Sequence, residues 1–216
     1  MKNPVPIELN AQNLIDISKV LKEIEHFIFF GTLLGITRDG EIIPNDDDID
    51  IYVDINLRKD LIIALKKYGY EINEKIYPNF TQHMLQLQVN REGIKTLIDF
   101  YFFDSSNKNY IIEKWNFSGF INNIYENMRI PKDLIFPLQK YLYRDIEIAI
   151  PAKPQQTCIF LYGKDWDVPL KKGVEYFHIM IFQRPIVLKG FCGEIISKIV
   201  KKTQSFKLKI RLLLFN

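Results

Sequence analysis

The chain has 216 residues, 47% hydrophobic and 25% charged, enough for one full-sized domain with its own core, which excludes disorder, collagen-like repeats and a disulfide-stapled miniprotein. Cys158 and Cys192 are too far apart for a Cys-x-x-Cys pair, and with no leader-like start and no apolar run of about 18 residues the reading is a reducing, cytoplasmic address. Net charge is +3, but residues 186–216 hold seven bases (Lys189, Lys198, Lys201, Lys202, Lys207, Lys209, Arg211) against Glu194. That surplus of six leaves the rest of the chain at −3, and points to an anionic surface for the tail rather than a nucleic-acid groove.

Leu14, Ile17, Leu21 and Ile24 recur at helical spacing and predict an amphipathic helix over residues 8–26. FIFFGT predicts a short strand running through Gly31-Thr32 into a short helix, LLGITRDG, closed by the turn signal Asp39-Gly40. DIDIYVD alternates from Asp48 to Asp54 and predicts a half-buried strand, with Ile49, Ile51 and Val53 on one face and Asp48, Asp50, Tyr52 and Asp54 on the other. NLRKDLIIALKKYG predicts a second helix, with Asn56 as N-cap and Gly69 at its end. YEINEKIY, MLQLQVN and KTLIDFYFF read as three strands, the last two joined by a turn at Arg91, Glu92 and Gly93. Residues 105–130 show no period and read as irregular. IEIAIPAKPQQTCIFLYG reads as a strand ending at Pro151, then a helix with Pro154 near its first position and Gly163 just past its end. In the tail, Ile195, Ile196, Ile199 and Val200 alternate with Lys198, Lys201 and Lys202. This is a basic amphipathic helix for an anionic membrane, or a helix packed on the domain with its lysines in water. The expected architecture is α+β, a mixed sheet flanked by helices over residues 1–170 with a helical basic extension over 171–216.

The chemistry concentrates between Phe30 and Asp54. Before its last residue this stretch holds Asp39, Glu41, Asp46, Asp47, Asp48 and Asp50. Period-two geometry puts Asp48 and Asp50 on one strand face, roughly 6.6 Å apart along the backbone, where both carboxylates can converge on one cation. Without a cation the two would repel, and oxygen-only ligands favour Mg²⁺ or Mn²⁺ over zinc. Asp46 and Asp47 read as turn acids or supporting groups, Asp46 sharing the parity of the pair. Gly31-Thr32 follows a strand, where glycine admits a bulky anion, the helix start offers N–H donors and Thr32 adds a hydroxyl; Arg38 is a candidate for a second phosphate oxygen. Asp99 is the lone acid in the apolar run Leu97–Phe103 and so must be paired, liganded or protonated. Lys153 could reach a phosphate or sit in a solvated loop. Tyr162, Asp165 and Trp166 could shape an acceptor or base pocket, or simply close a helix with a packed Trp. His26, His83 and His178 are scattered singly and suggest no ligand set.

GTLLG, Arg38, the IPNDDDID run, the strand around Ile98-Asp99-Phe100, Pro151-Ala152-Lys153 and FLYGKDW occur in an order that resembles the LicD family of phosphotransferases, related to fukutin and fukutin-related protein. The resemblance covers about residues 10–170. It implies a nucleotidyltransferase-like fold and Mg²⁺-dependent transfer of a phospho-alcohol, such as phosphocholine or ribitol phosphate, from a CDP-activated donor to a hydroxyl of a surface glycan or glycolipid. By the same resemblance Asp48 and Asp50 hold metal, Asp99 is the third acid, and Gly31 and Thr32 contact the donor. A glycan made at the inner membrane face would give the basic tail a peripheral membrane contact, and no nucleic-acid partner is implied. Where the family often has Trp after the proline, this chain has Asn45. Two other readings share these residues: a nucleotidyltransferase releasing pyrophosphate, and a nucleotide-binding module without turnover.

Overall fold

Helix α1 (Ile7–Val20) buries Leu14 and Ile17 against the sheet and carries Glu8 in its first turn and Lys19 in its last, each at the end the helix dipole favours. It stops earlier than its periodicity predicts. Leu21 caps it through an N–H bond to the Ile17 carbonyl at 3.0 Å, and the Ile24 N–H turns back onto Leu21. The chain reverses there because Phe27 and Ile28 are fully buried in strand β1 (His26–Ile28). These features come from a computed structural model, which describes residues 5–72, 83–113, 125–169 and 186–188.

Helix α2 (Phe30–Asp39) follows β1 directly and ends at Gly40, whose φ of 72° is the left-handed C-terminal geometry glycine adopts without strain. The chain returns through residues 41–49 into strand β2 (Asp50–Asp54), antiparallel to β1. Asp54, not Asn56, caps the next segment, its side chain accepting from the Asn56 N–H across a 3₁₀ turn at Ile55–Leu57. Helix α3 (Arg58–Lys67) ends as predicted at Gly69, with φ 81° and the Tyr70 N–H bonded to the Leu65 carbonyl at 3.0 Å. The strand expected over YEINEKIY lies mostly outside the described residues, apart from a bridge between Ile72 and Leu87.

Strands β3 (Met84–Arg91) and β4 (Ile94–Asp104) form the predicted hairpin. Its two-residue turn, Glu92-Gly93, has φ of 53° and 76°, the twist that matches paired strands. β4 also runs parallel to β2. Beyond it come β5 (Tyr110–Glu113), β6 (Tyr125–Pro131) and β9 (Ile186–Leu188), so that the main sheet is mixed and reads β1-β2-β4-β5-β6-β9, with β3 on β4. Two expectations are corrected here. Within residues 105–130, read as irregular, two strands form; and Ile186–Leu188, inside the stretch assigned to a helical extension, pairs with β6. The predicted helix at residues 195–202 lies outside the described residues. A short turn, α4 (Lys132–Ile135), leads to a separate hairpin of β7 (Gln139–Tyr143) and β8 (Ile146–Ile150), then to α5 (Pro154–Tyr162) with Pro154 at its start and Gly163 past its end. Among the described residues no helix is long and apolar enough to cross a membrane.

The β2 alternation also needs correction. Tyr52, on the same side as Asp50, is fully buried, so both faces of the strand are covered. Its ring stacks on Phe29 at 4.1 Å and lies against Phe30, Tyr101 and Phe103, and its hydroxyl bonds Glu113.

The two glycines of GTLLG are one helical turn apart. A Cβ on the second, Gly35, would stand 2.6 Å from the Glu41 carbonyl and 3.0 Å from Ile43, so only glycine lets α2 lie against the chain returning toward the acids. Gly35→Ala is therefore expected to destabilise the protein by about 1–3 kcal/mol. That corresponds to a loss of roughly 2–4 °C per kcal/mol for a chain of this size, read by thermal unfolding.

Candidate active site

Parallel pairing of β2 and β4 sets Asp50 directly opposite Asp99. The ladder continues one residue before β2, where the Ile49 N–H bonds the Leu97 carbonyl at 3.0 Å and the Asp99 N–H bonds the Ile49 carbonyl at 2.7 Å. Asp48 projects with Asp50, as strand alternation requires. One oxygen from each of Asp48, Asp50 and Asp99 lies within 4.8 Å of the others, with Asp50 and Asp99 buried and Asp48 half-buried. Two full charges at that separation repel by about 3 kcal/mol at an effective dielectric constant of roughly 20.

Asp50 is held at each of its polar groups by the β1–α2 junction. Its N–H donates to Thr32 Oγ1 at 2.8 Å, its carbonyl accepts from the Phe29 N–H at 3.0 Å, and its Oδ2 accepts from the Gly31 N–H at 2.8 Å. This refines the expectation for Gly31-Thr32: the pair orients an acid instead of presenting two uncommitted anion donors. A Cβ at Gly31 would lie 3.1 Å from Asp46 Oδ2 and 3.2 Å from Asp50 Oδ2, so glycine keeps the carboxylate face clear. The junction is strained, since Phe30 adopts φ 41°, a left-handed conformation costly for a bulky residue. Its ring is fixed edge-on to Tyr101 at 5.0 Å and to Tyr52 at 5.4 Å.

Burial, reinforced by the charges of Asp48, Asp99 and Asp46, holds the Asp50 carboxyl well above the usual carboxylate range, against the opposing hydrogen bond from Gly31. Burial likewise pushes Asp99 up to about 7, opposed by the Gln86 hydrogen bond and assisted by Asp47. Gln86 stands opposite Asp99 in the β3–β4 register and donates from Nε2 to its Oδ1 at 2.8 Å. A buried, crowded, all-oxygen donor set whose members resist ionising alone fits a hard divalent cation. Mg²⁺ or Mn²⁺ would be held by Asp48, Asp50 and Asp99.

The acids arrive from a tight turn. The Asp46 N–H bonds the Ile43 carbonyl at 3.2 Å, with Pro44 and then Asn45 at the corner, and Asn45 has φ 62°. This is the geometry of a type II turn, in which Asn tolerates the left-handed position. Asn45, which stands where the LicD pattern often has Trp, thus serves the backbone and is exposed.

The remaining predicted site residues lie elsewhere. Arg38 is in the last turn of α2, about 10 Å along the helix from Gly31, and its guanidinium bonds Asp39 at 2.6 Å. Lys153 precedes α5, pairs with Asp133 at 2.8 Å and lines a cleft of about 510 Å³ with Thr37, Tyr141 and Gln155. Tyr162 is buried at the end of α5, Trp166 packs partly buried against the core, and Asp165 is exposed. Sequence reasoning missed Gln86, whose signal was its place on the strand hairpinned to Asp99. It also missed Asn10 and Asn13, polar positions on the buried side of α1.

Comparison with known proteins gives the family. A family model, the LicD/FKTN/FKRP nucleotidyltransferase domain, matches residues 23–153. The chain belongs to this family. The match is narrower than the motif resemblance: it includes every acid of the site and stops short of Asn10 and Asn13 at one end and of Tyr162, Asp165 and Trp166 at the other. Two sequence relatives are named only as uncharacterized proteins. One, of Rickettsia typhi, is 29% identical over 136 residues, covering 61% of this chain and 37% of its own length. The other, of Rickettsia prowazekii, is 26% identical over 140 residues, covering 61% and 44%. The chain thus spans less than half the length of either. Among solved structures, a lincomycin-bound lincosamide antibiotic adenylyltransferase, LnuA, is similar with a TM-score of 0.49 and 20% identity, over 82% of this chain and 96% of that one.

A raised carboxylate pKa makes the metal-free fold lose stability as pH rises, here from the unfolded value of about 3.9 through the folded value near 7 for Asp99. Thermal unfolding in chelator is therefore expected to fall between roughly pH 4 and 7. Asp99→Asn should flatten that fall and raise the metal-free melting temperature at pH 8 by about 2–4 °C per kcal/mol of repulsion relieved. Added Mg²⁺ should stabilise the wild type and not the variant.

Proposed function

We propose that the protein is a Mg²⁺-dependent transferase that moves a phospho-alcohol, such as phosphocholine, from a CDP-activated donor to a hydroxyl of a surface glycan or glycolipid. The observation that supports this best is the convergence of Asp48, Asp50 and Asp99 within 4.8 Å beside the bare backbone of Gly31. Family membership gives the donor and acceptor classes their weight.

Bound Mg²⁺ or Mn²⁺ supplies charge neutralisation of the donor's diphosphate. Asp48 and Asp50 hold the ion, and Gly31, without a side chain, leaves room for the diphosphate over the carboxylate face. Thr32 fixes the Asp50 backbone so that its carboxylate does not swing away. Asp99, with a carboxyl poised near neutral pH, either completes the ligand set or takes the proton from the attacking hydroxyl. That oxygen attacks the distal phosphorus in line, and CMP leaves. Positioning and charge stabilisation do the catalytic work, as in phosphoryl transfer generally. Arg38, Lys153, Tyr162, Asp165 and Trp166 surround α5 and the end of α2, and their place in this reading is in binding substrate beyond the acids. The basic residues of 186–216 would hold the protein at an anionic inner membrane face, where such glycans are assembled.

The family's description as a nucleotidyltransferase domain favours one further reading, attack at the α-phosphorus with departure of pyrophosphate. Product analysis separates the two. Incubated with Mg²⁺ and CDP-choline, CDP-ribitol or CDP-glycerol plus glycan acceptor, the protein is expected to release CMP. Asp50→Asn should lower kcat by about 100-fold or more while the chain stays folded. Release of pyrophosphate from a nucleoside triphosphate, with CDP-alcohols inert, would overturn the first reading in favour of the second.

A further inference from the structure

In an extended segment successive carbonyls point to opposite edges. On one edge of the acid segment, Asp47 and Ile49 bond β4 through the Leu97 and Asp99 N–H groups at 2.8 and 2.7 Å. On the other edge, Asp50 is met by the Phe29 N–H, but β1 pairs only as far back as Ile51. The carbonyls of Asp46 and Asp48 therefore lie beyond the end of β1. Asn10, 1% exposed on α1, takes both: its Nδ2 donates to the Asp46 carbonyl at 2.9 Å and to the Asp48 carbonyl at 3.4 Å. One side-chain amide replaces the missing stretch of strand.

The orientation of that amide is set from further out. Arg91, on β3, donates from Nε to Asn13 Oδ1 at 2.7 Å and pairs with Asp16 at 2.6 Å. With its oxygen committed, Asn13 turns its Nδ2 to Thr96 Oγ1 at 2.7 Å and to Asn10 Oδ1 at 3.3 Å. Asn10 must then face the carbonyls with its nitrogen. The chain of amides runs from a guanidinium to the backbone of the acid segment, each link polarising the next.

We propose that Asn10 is a positioning residue for the ion-binding acids: it pins the backbone on either side of Asp47 and so holds Asp48 where its carboxylate meets those of Asp50 and Asp99. The reach of this hold to a bound ion rests on the metal reading given above. Asn10 lies on α1, before residue 23 where the family-model match begins.

Two measurements on the full chain test it. Metal-free amide hydrogen exchange is expected to quicken at Ile49 and Asp50 by about 10-fold or more in Asn10→Ala, while Leu87 and Val89 in the β3–β4 hairpin stay as in the wild type. Mn²⁺ titration followed by electron paramagnetic resonance is expected to show Kd raised about 10-fold in Asn10→Ala, and no site in Asp50→Asn. Asn10→Ser keeps a donor too short to span both carbonyls; it should move both readouts the same way and decides the question should the alanine variant not fold. Exchange quickened evenly across Ile49, Asp50, Leu87 and Val89 would mark a general loss of stability and overturn the proposal. So would a Kd within twofold of a wild type that binds Mn²⁺. A wild-type chain taking up no Mn²⁺ would sink the metal reading and the ion-binding half of the proposal with it, leaving the exchange contrast to decide whether Asn10 holds the segment.

Discussion

Pairing Asp50 with Asp99 across a parallel ladder is the constraint from which the rest of the site follows. Two carboxylates in register on adjacent strands have their Cα positions fixed by backbone hydrogen bonds, and side-chain rotation gives them little room to part. Gly31 and Gln86 narrow that room further, each donating to one of the two acids. These donors offset part of the cost of burying the charges, yet both carboxyls remain raised, because burial is the largest influence on each. Such a cluster is poor at stabilising a fold and good at holding a divalent cation. Its presence in the middle of a sheet costs stability, the trade that the proposed catalytic role would explain.

The aromatic cluster beneath the acids belongs to the same constraint. Phe27, Phe29, Phe30, Tyr52, Tyr101 and Phe103 form one contact network, and Tyr52 and Tyr101 sit on the strands that carry Asp50 and Asp99, two residues further along each. The rings exclude water from one side of the carboxylates and so strengthen every electrostatic term there. They also hold Phe30 in its left-handed conformation, because leaving it would unstack rings already buried. That strained residue aims the Gly31 N–H at Asp50. The packing energy of the core is thereby converted into the orientation of the Asp50 carboxylate.

Much of this is legible in the amino-acid sequence itself. Strict alternation across DIDIYVD places Asp48 and Asp50 on one face, and an isolated acid in an apolar strand marks Asp99, since strand period and the penalty on lone buried charge are local properties. GTLLG and the hairpin at Glu92-Gly93 are legible for the same reason. What escapes is non-local. Whether β2 is covered on its second face depends on rings from residues 27–30 and from β4. Residues 110–113 and 125–131 become strands because β4 offers β5 an edge and β5 in turn offers one to β6, not because their own pattern alternates. Asn10 and Asn13 look like helix interruptions in sequence, and only the return of the acid segment past α1 gives them carbonyls and a guanidinium to bond.

That last case bears on how the site is divided. The acids, their glycine and their glutamine all fall within residues 23–153, the span matched by the family model. Their backbone, however, is completed by a helix outside it. β1 is three residues long and cannot reach Asp46 or Asp48, so an edge of the acid segment would face solvent or collapse without α1. A buried carbonyl left unbonded costs about 1–3 kcal/mol, comparable to the repulsion among the acids themselves. The amide of Asn10 bonds two carbonyls of this half-buried edge, and it does so from a rigid helix rather than a loop. In the proposed reading the sheet supplies the acids and α1 aligns them, through Asn10 and through the Asn13 and Arg91 contacts that set the Asn10 amide.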